Sequence, residues 1–172
     1  MFELQRYNFT EAEGGIRDFG SLSEADRKRL LYAGINPGEE GRSGSFMHMN
    51  HSGVRCHSFQ EGLELMDIKE ALRRYDGLPE YYWKILDPDQ DEISRAAARN
   101  LHGGYFIRAR KGAKITEPVQ SCLFIKGNGV GQNVHNIIIV EEGAELNVIS
   151  GCATAEGTTD AAHLGISEMY VE

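Results

Sequence analysis

Hydrophobic and polar positions repeat along the second half of the chain. Ile107-Arg108-Ala109-Arg110-Lys111-Gly112-Ala113-Lys114-Ile115 returns as Ile138-Ile139-Val140-Glu141-Glu142-Gly143-Ala144-Glu145-Leu146, an offset of 31 positions. Met169 and Val171 stand at the same offset from Ile138 and Val140 and open a third copy. A fixed period of this size marks stacked units that bury their apolar faces against one another. Each unit reads as strand, charged turn with Gly-Ala, strand. The glycine permits the positive φ of a tight corner, and Ile137–Val140 and Leu146–Ile149 are rich in strand-forming residues. The pattern predicts a mainly β chain whose core is a parallel β-helix, or solenoid, beginning near Gly103. The alternative is a β-sandwich or cupin-like barrel. A metal-binding cupin would need a His-x-His pair after the glycine turn, and none follows Gly112 or Gly143.

Ahead of this core the periodicity changes. Residues 1–20 show little of it. Ser23 followed by Asp26 reads as a helix start that runs to Gly34. Residues 35–46, rich in Gly, Pro and Ser, read as a loop, and residues 46–66 as extended chain. Asp67 caps a second helix ending near Gly77. Pro79 suits the first turn of a helix over residues 80–86, and Asp91–Asn100 is a further helical stretch. The expected organisation is a small helical or mixed N-terminal region over residues 1–102, then the β-helix over residues 103–172.

Charge and composition narrow the function classes. Among 172 residues the net charge is −8, which disfavours nonspecific nucleic-acid binding. No apolar run is long enough to span a membrane, and residues 1–6 lack the apolar core of a signal peptide, so the cytoplasm is the expected compartment. Cys56, Cys122 and Cys152 are odd in number and widely spaced, which points to free thiols rather than a disulfide framework.

Candidate chemistry centres on sulfur. Cys152 follows Gly151 at the end of a β-rich run, and His163 lies where a returning loop could bring it opposite. The plainer reading makes Cys152 a small core residue. Cys122 and Cys152 follow their respective turn glycines at nearly equal distances, and could stack on adjacent strands as a two-thiol site or as core. His48, His51, Cys56 and His57 lack the spacing of a zinc site and read as polar loop residues. Gly127–Gln132 lacks the Lys-Ser/Thr of a phosphate loop and reads as a corner.

Several segments together resemble the SufB/SufD family: Gly131–Thr154, Gly34–Pro37, Arg42–Phe46, Asn50–Ser52, Gly104–Ile107 and His163–Glu168. The resemblance runs from about residue 30 to the end and is closest to the shorter archaeal type. It implies a right-handed parallel β-helix and a non-enzymatic scaffold subunit for iron–sulfur cluster assembly. It also implies partnership with a SufC-like ABC ATPase, and pairing with a SufB/SufD-type subunit or with a second copy. A cluster would be transient cargo, with no cofactor resident in these residues. The sequence looks like the N-terminal half of such a chain. The cysteine after the glycine, Cys152, resembles the thiol that receives sulfur, whereas Phe124 and Lys126 stand where SufB-type members carry other polar residues. The rival expectation is a β-solenoid interaction module that has lost cluster chemistry; an enzyme with Cys152 as nucleophile lacks any indicated substrate.

Overall fold

Among the described residues eight strands build two sheets: β1 (Gly44–Met49), β2 (Ser52–Ser58), β3 (Leu63–Asp67), β4 (Tyr105–Ala109), β5 (Val119–Ile125), β6 (Val130–Val140), β7 (Val148–Thr154) and β8 (Ala161–Val171). The first sheet has the order β2-β1-β5-β7 and the second the order β3-β4-β6-β8. This computed structural model describes residues 3–10 and 18–172; the low-periodicity stretch 1–20 falls partly outside them. Among these residues three α-helices, α1 (Glu24–Tyr32), α2 (Ile68–Arg74) and α3 (Glu92–Arg99), pack around the sheets.

The expected right-handed β-helix with a helical N-terminal region is not formed. The architecture is mixed α/β, with two four-stranded mixed sheets. Each sheet combines parallel strands with one antiparallel edge pair, β1 with β2 and β3 with β4. Three of the eight strands lie before residue 68, so helices do not dominate that half, and strands from both sides of residue 103 share each sheet. The 31-residue offset is realised as register in the second sheet, where Phe106 pairs with Ile137 and Val130 with Ala161, and in the bridge of Lys114 to Glu145 between the turns. In the first sheet Val119 pairs with Val148, a shorter offset.

Strand alternation sorts side chains onto two faces. Phe46, Leu65, Ile107, Leu123, Val134 and Ile138, drawn from both sheets, form the layer between them. On the outer face of the first sheet Met47, Cys122 and Phe124 pack with Leu30 of α1 and with Ile35. On the outer face of the second, Phe106, Ile137 and Ile139 pack with Ile68 and Ala71 of α2 and with Leu78. The two copies of the charged turn carry opposite signs and lie side by side, with Lys111 bridged to Glu142 and Lys114 to Glu145. Gly112 and Gly143 adopt φ of 71° and 70°, the left-handed corner that the repeat requires.

The helix starts follow their caps. The Ser23 side chain accepts from the Asp26 N–H, Asp67 from Lys69 and Asp91 from Ser94. The helix expected over residues 80–86 is absent. Only a 3-10 turn, Leu78–Glu80, forms at Pro79. Beyond it the backbone N–H groups of Trp83, Lys84 and Ile85 donate to the Glu168 carboxylate at 2.7–2.8 Å instead of to helical carbonyls, and Trp83 takes a φ of 57°. A carboxylate 85 positions away in sequence from Trp83 overrides the local helix signal.

Candidate functional site: a thiol and imidazole cleft

The register of β5 against β7 sets the direction of each thiol. Cys122 pairs with Gly151, while Cys152 pairs with Leu123. In-register neighbours of a parallel pair point to the same face, so Cys152 shares the inter-sheet face with Leu123. Cys122 faces the other way, under α1. The two cysteines therefore form no joint thiol site on one face. The Cys122 thiol is fully buried, and burial pushes its pKa well up.

His163 on β8 pairs with Gln132, whose parity with Val134 and Ile138 puts both on the inter-sheet side of the second sheet. The turn between β7 and β8 reverses the chain, and Cys152 and His163 line one cleft of about 560 Å³ at the edge of the two sheets. Leu123 closes its back and Thr154 one side, while Arg29 and Tyr32 of α1 form the rim, Tyr32 being 93% exposed. Gly151 is what lets α1 reach this edge: a Cβ there would lie 2.7 Å from the Ala33 carbonyl oxygen.

Electrostatics keep both groups neutral at rest. Burial raises the Cys152 thiol above its ordinary value, and burial lowers the His163 imidazole below its own. The imidazole Nδ1 is 2.9 Å from Oε1 of Gln132, and the Gln132 amide nitrogen donates to the Asn50 carbonyl at 2.7 Å. The resting pair is thus a thiol and a neutral base, in a cleft that solvent and ligands can enter.

Cys56 lies on the edge strand β2 with carboxylates near it. Burial of its sulfur first, then Asp67 and Glu70, push that thiol up to about 12. His48 and His51 point inward, whereas Cys56 and His57 are exposed on β2. Among the described residues no three His, Cys, Asp or Glu side chains converge as a metal site. Residues 127–129 form a corner and 130–132 begin β6, with the Asn128 side-chain Oδ1 accepting from the Thr159 and Asp160 amides. Gln132, Arg29 and Tyr32 escaped sequence reasoning. For Gln132 the signal was available, because it stands one repeat offset before His163.

Comparison with known proteins bears on this arrangement. The chain is 44% identical over 90% of its length to an iron–sulfur cluster assembly SufBD family protein of Archaeoglobus fulgidus, covering 41% of that protein. It is 39% identical over 85% of its length to a protein of the same description from Methanothermobacter thermautotrophicus, covering 37% of it. At 25% identity it aligns over 99% of its length with the iron–sulfur cluster assembly protein SufB of Bacillus subtilis, covering 38%. No family model matches the chain. The chain is thus similar over nearly its whole length to SufBD family proteins, and it spans about two fifths of the length of the curated relatives it matches.

Proposed function

We propose that this chain serves iron–sulfur cluster assembly as a non-enzymatic scaffold segment in which Cys152 receives sulfur. The relatives' names supply the process. The observation that carries the role of this chain is the opening of Cys152 and His163 into one cleft. The sulfur donor is a persulfide, R–S–SH. The Cys152 sulfur attacks the donor's outer sulfur, the donor S–S bond breaks, and a new S–S bond on Cys152 holds the transferred atom. The Cys152 proton passes by way of His163 to the departing donor thiolate, so the exchange is redox neutral and releases R–SH. In this reading the partners are a SufC-like ABC ATPase and a second SufB/SufD-type subunit or another copy, and the cluster is cargo.

The test is sulfur loading. Under anaerobic conditions the protein is mixed with glutathione persulfide, and the adducts are mapped by mass spectrometry. The expected result is one added sulfur on Cys152, retained in Cys56→Ser and lost in Cys152→Ser. Sulfur on Cys56 with Cys152 untouched would overturn the proposal.

A further inference from the structure

The Gln132 amide can be oriented in only one way. Its nitrogen faces two backbone carbonyl oxygens, of Asn50 at 2.7 Å and of Phe124 at 3.5 Å. Turning the amide over would set its oxygen against both acceptors, so the NH₂ group must face them. Oε1 then faces Nδ1 of His163 at 2.9 Å, and as an acceptor it requires a hydrogen on that nitrogen. A neutral imidazole holding its hydrogen on Nδ1 has a lone pair on Nε2. That nitrogen lies over Gly165, where a Cβ would come within 2.8 Å of it. Gly165 has no side chain to cover it, and His163 lines the cleft.

We infer that Gln132 is a positioning residue that locks His163, a residue lining the cleft into which Cys152 opens, in the Nδ1–H tautomer and so leaves Nε2 bare as a proton acceptor. The anchoring carbonyls belong to the turn after β1 and to β5, so three segments of the fold converge on one hydrogen position. Burial that keeps the imidazole neutral agrees with this, since only the neutral ring can accept a proton. The ionisable groups around the cleft are Arg29 and Tyr32 of α1, Cys152 of β7 and His163 itself. The purpose of the relay rests on the sulfur-handling reading above, but the tautomer can be read with no sulfur donor present.

The experiment uses the full chain carrying Cys56→Ser. Nitrogen-15 NMR of labelled histidine reads the tautomer, and the rate of Cys152 alkylation by iodoacetamide is followed against pH. The reference protein should show Nδ1 protonated and Nε2 bare above the imidazole titration. Gln132→Leu should lose this pattern, slow alkylation near neutrality by on the order of tenfold, and move the profile to higher pH. If Gln132→Leu does not fold by circular dichroism, the tautomer of the reference protein carries the test. An Nε2–H tautomer in the reference protein, or a Gln132→Leu profile superimposed on it, overturns the inference. Failure of persulfide loading with the tautomer intact would instead sink the proposed function and leave this relay standing.

Discussion

His135 and His163 lie on neighbouring strands of one sheet, on opposite faces, and hold their hydrogens on opposite nitrogens. His135 donates from Nε2 to the Glu168 carboxylate at 2.8 Å, both side chains being fully buried, and its Nδ1 has no hydrogen-bond partner. The Tyr82 and Trp83 rings cover the imidazole, at 4.4 and 4.7 Å between centroids. His163 donates from Nδ1 to a neutral amide, leaves Nε2 bare over Gly165, and lines a cleft. A carboxylate that also gathers the backbone amides of Trp83, Lys84 and Ile85 is a fastening for the segment crossing the sheet. Burial alone would raise its pKa, but the amides of Ile85 and Trp83, then His135 and the Lys84 amide, hold it below the usual carboxylate range. The difference teaches where chemistry can occur. A buried histidine whose partner is spent on backbone amides is structural, and one held by an amide at an open edge is free to take a proton.

Glu168→Ala should produce the largest effect on this comparison. Four backbone donors, the amides of Trp83, Lys84, Ile85 and Leu86, and His135 would lose their acceptor in a buried place, at a cost of about 3–5 kcal/mol. Urea unfolding reads the loss, and hydrogen exchange should accelerate over residues 83–86. Cys152 alkylation in the folded fraction should not change, because the cleft lies on the other face. A loss below about 1 kcal/mol would show that the carboxylate is no fastening, and the contrast between the two histidines would collapse.

A third histidine sharpens the contrast. His48 of β1 is buried between the sheets against Gly103, and neither ring nitrogen makes a hydrogen bond of normal geometry. Burial, with smaller contributions from Lys69, His102 and His51, lowers its pKa from 6.5 to about 3. The folded state therefore binds this proton less readily than the unfolded chain. Its stability is fully present above about pH 6.5 and is lost as the pH falls toward 3. The slope is about 1.4 kcal/mol per pH unit, or about 2 kcal/mol by pH 5. His48→Leu should remove that part of the acid limb in urea melts across this range. Identical slopes for the variant and the wild type would refute the assignment.

The sequence made some of this legible and hid the rest for identifiable reasons. Capping residues are local, and Ser23, Asp67 and Asp91 start the helices where their side chains can reach the next amides. The glycine turns and the register of the second sheet follow from one offset, which also aligns Gln132 with His163. The β-helix expectation failed because it extended that offset to the whole chain, whereas the first sheet keeps a different one and antiparallel pairs close both sheets. Cys122 and Cys152 were expected near each other from their distances to the turn glycines. The two are neighbours in sequence register, but their separation of 30 differs by one from the strand offset of 29, which sends their side chains to opposite faces. The Glu168 fastening was hidden because its partners are backbone amides, which leave no mark in a side-chain pattern.

The smallest change in stability should come from Gly165→Ala, and it bears on the open half of the comparison. Gly165 lies in edge strand β8, is exposed, and its φ is not in the left-handed region, so an alanine costs the backbone little. The added methyl would stand 2.8 Å from Nε2 of His163, too close for contact, and the imidazole must turn away. The ring can turn only by straining its bond to Gln132 and shifting Nε2 from its place over Gly165. Stability should therefore fall by less than about 1 kcal/mol, while alkylation of Cys152 near neutral pH slows several-fold. No comparable substitution can uncouple His135 in this way, because its partner is a carboxylate held by four backbone amides. If Gly165→Ala leaves the alkylation profile unchanged, Nε2 does not serve Cys152, and the two histidines differ in exposure alone.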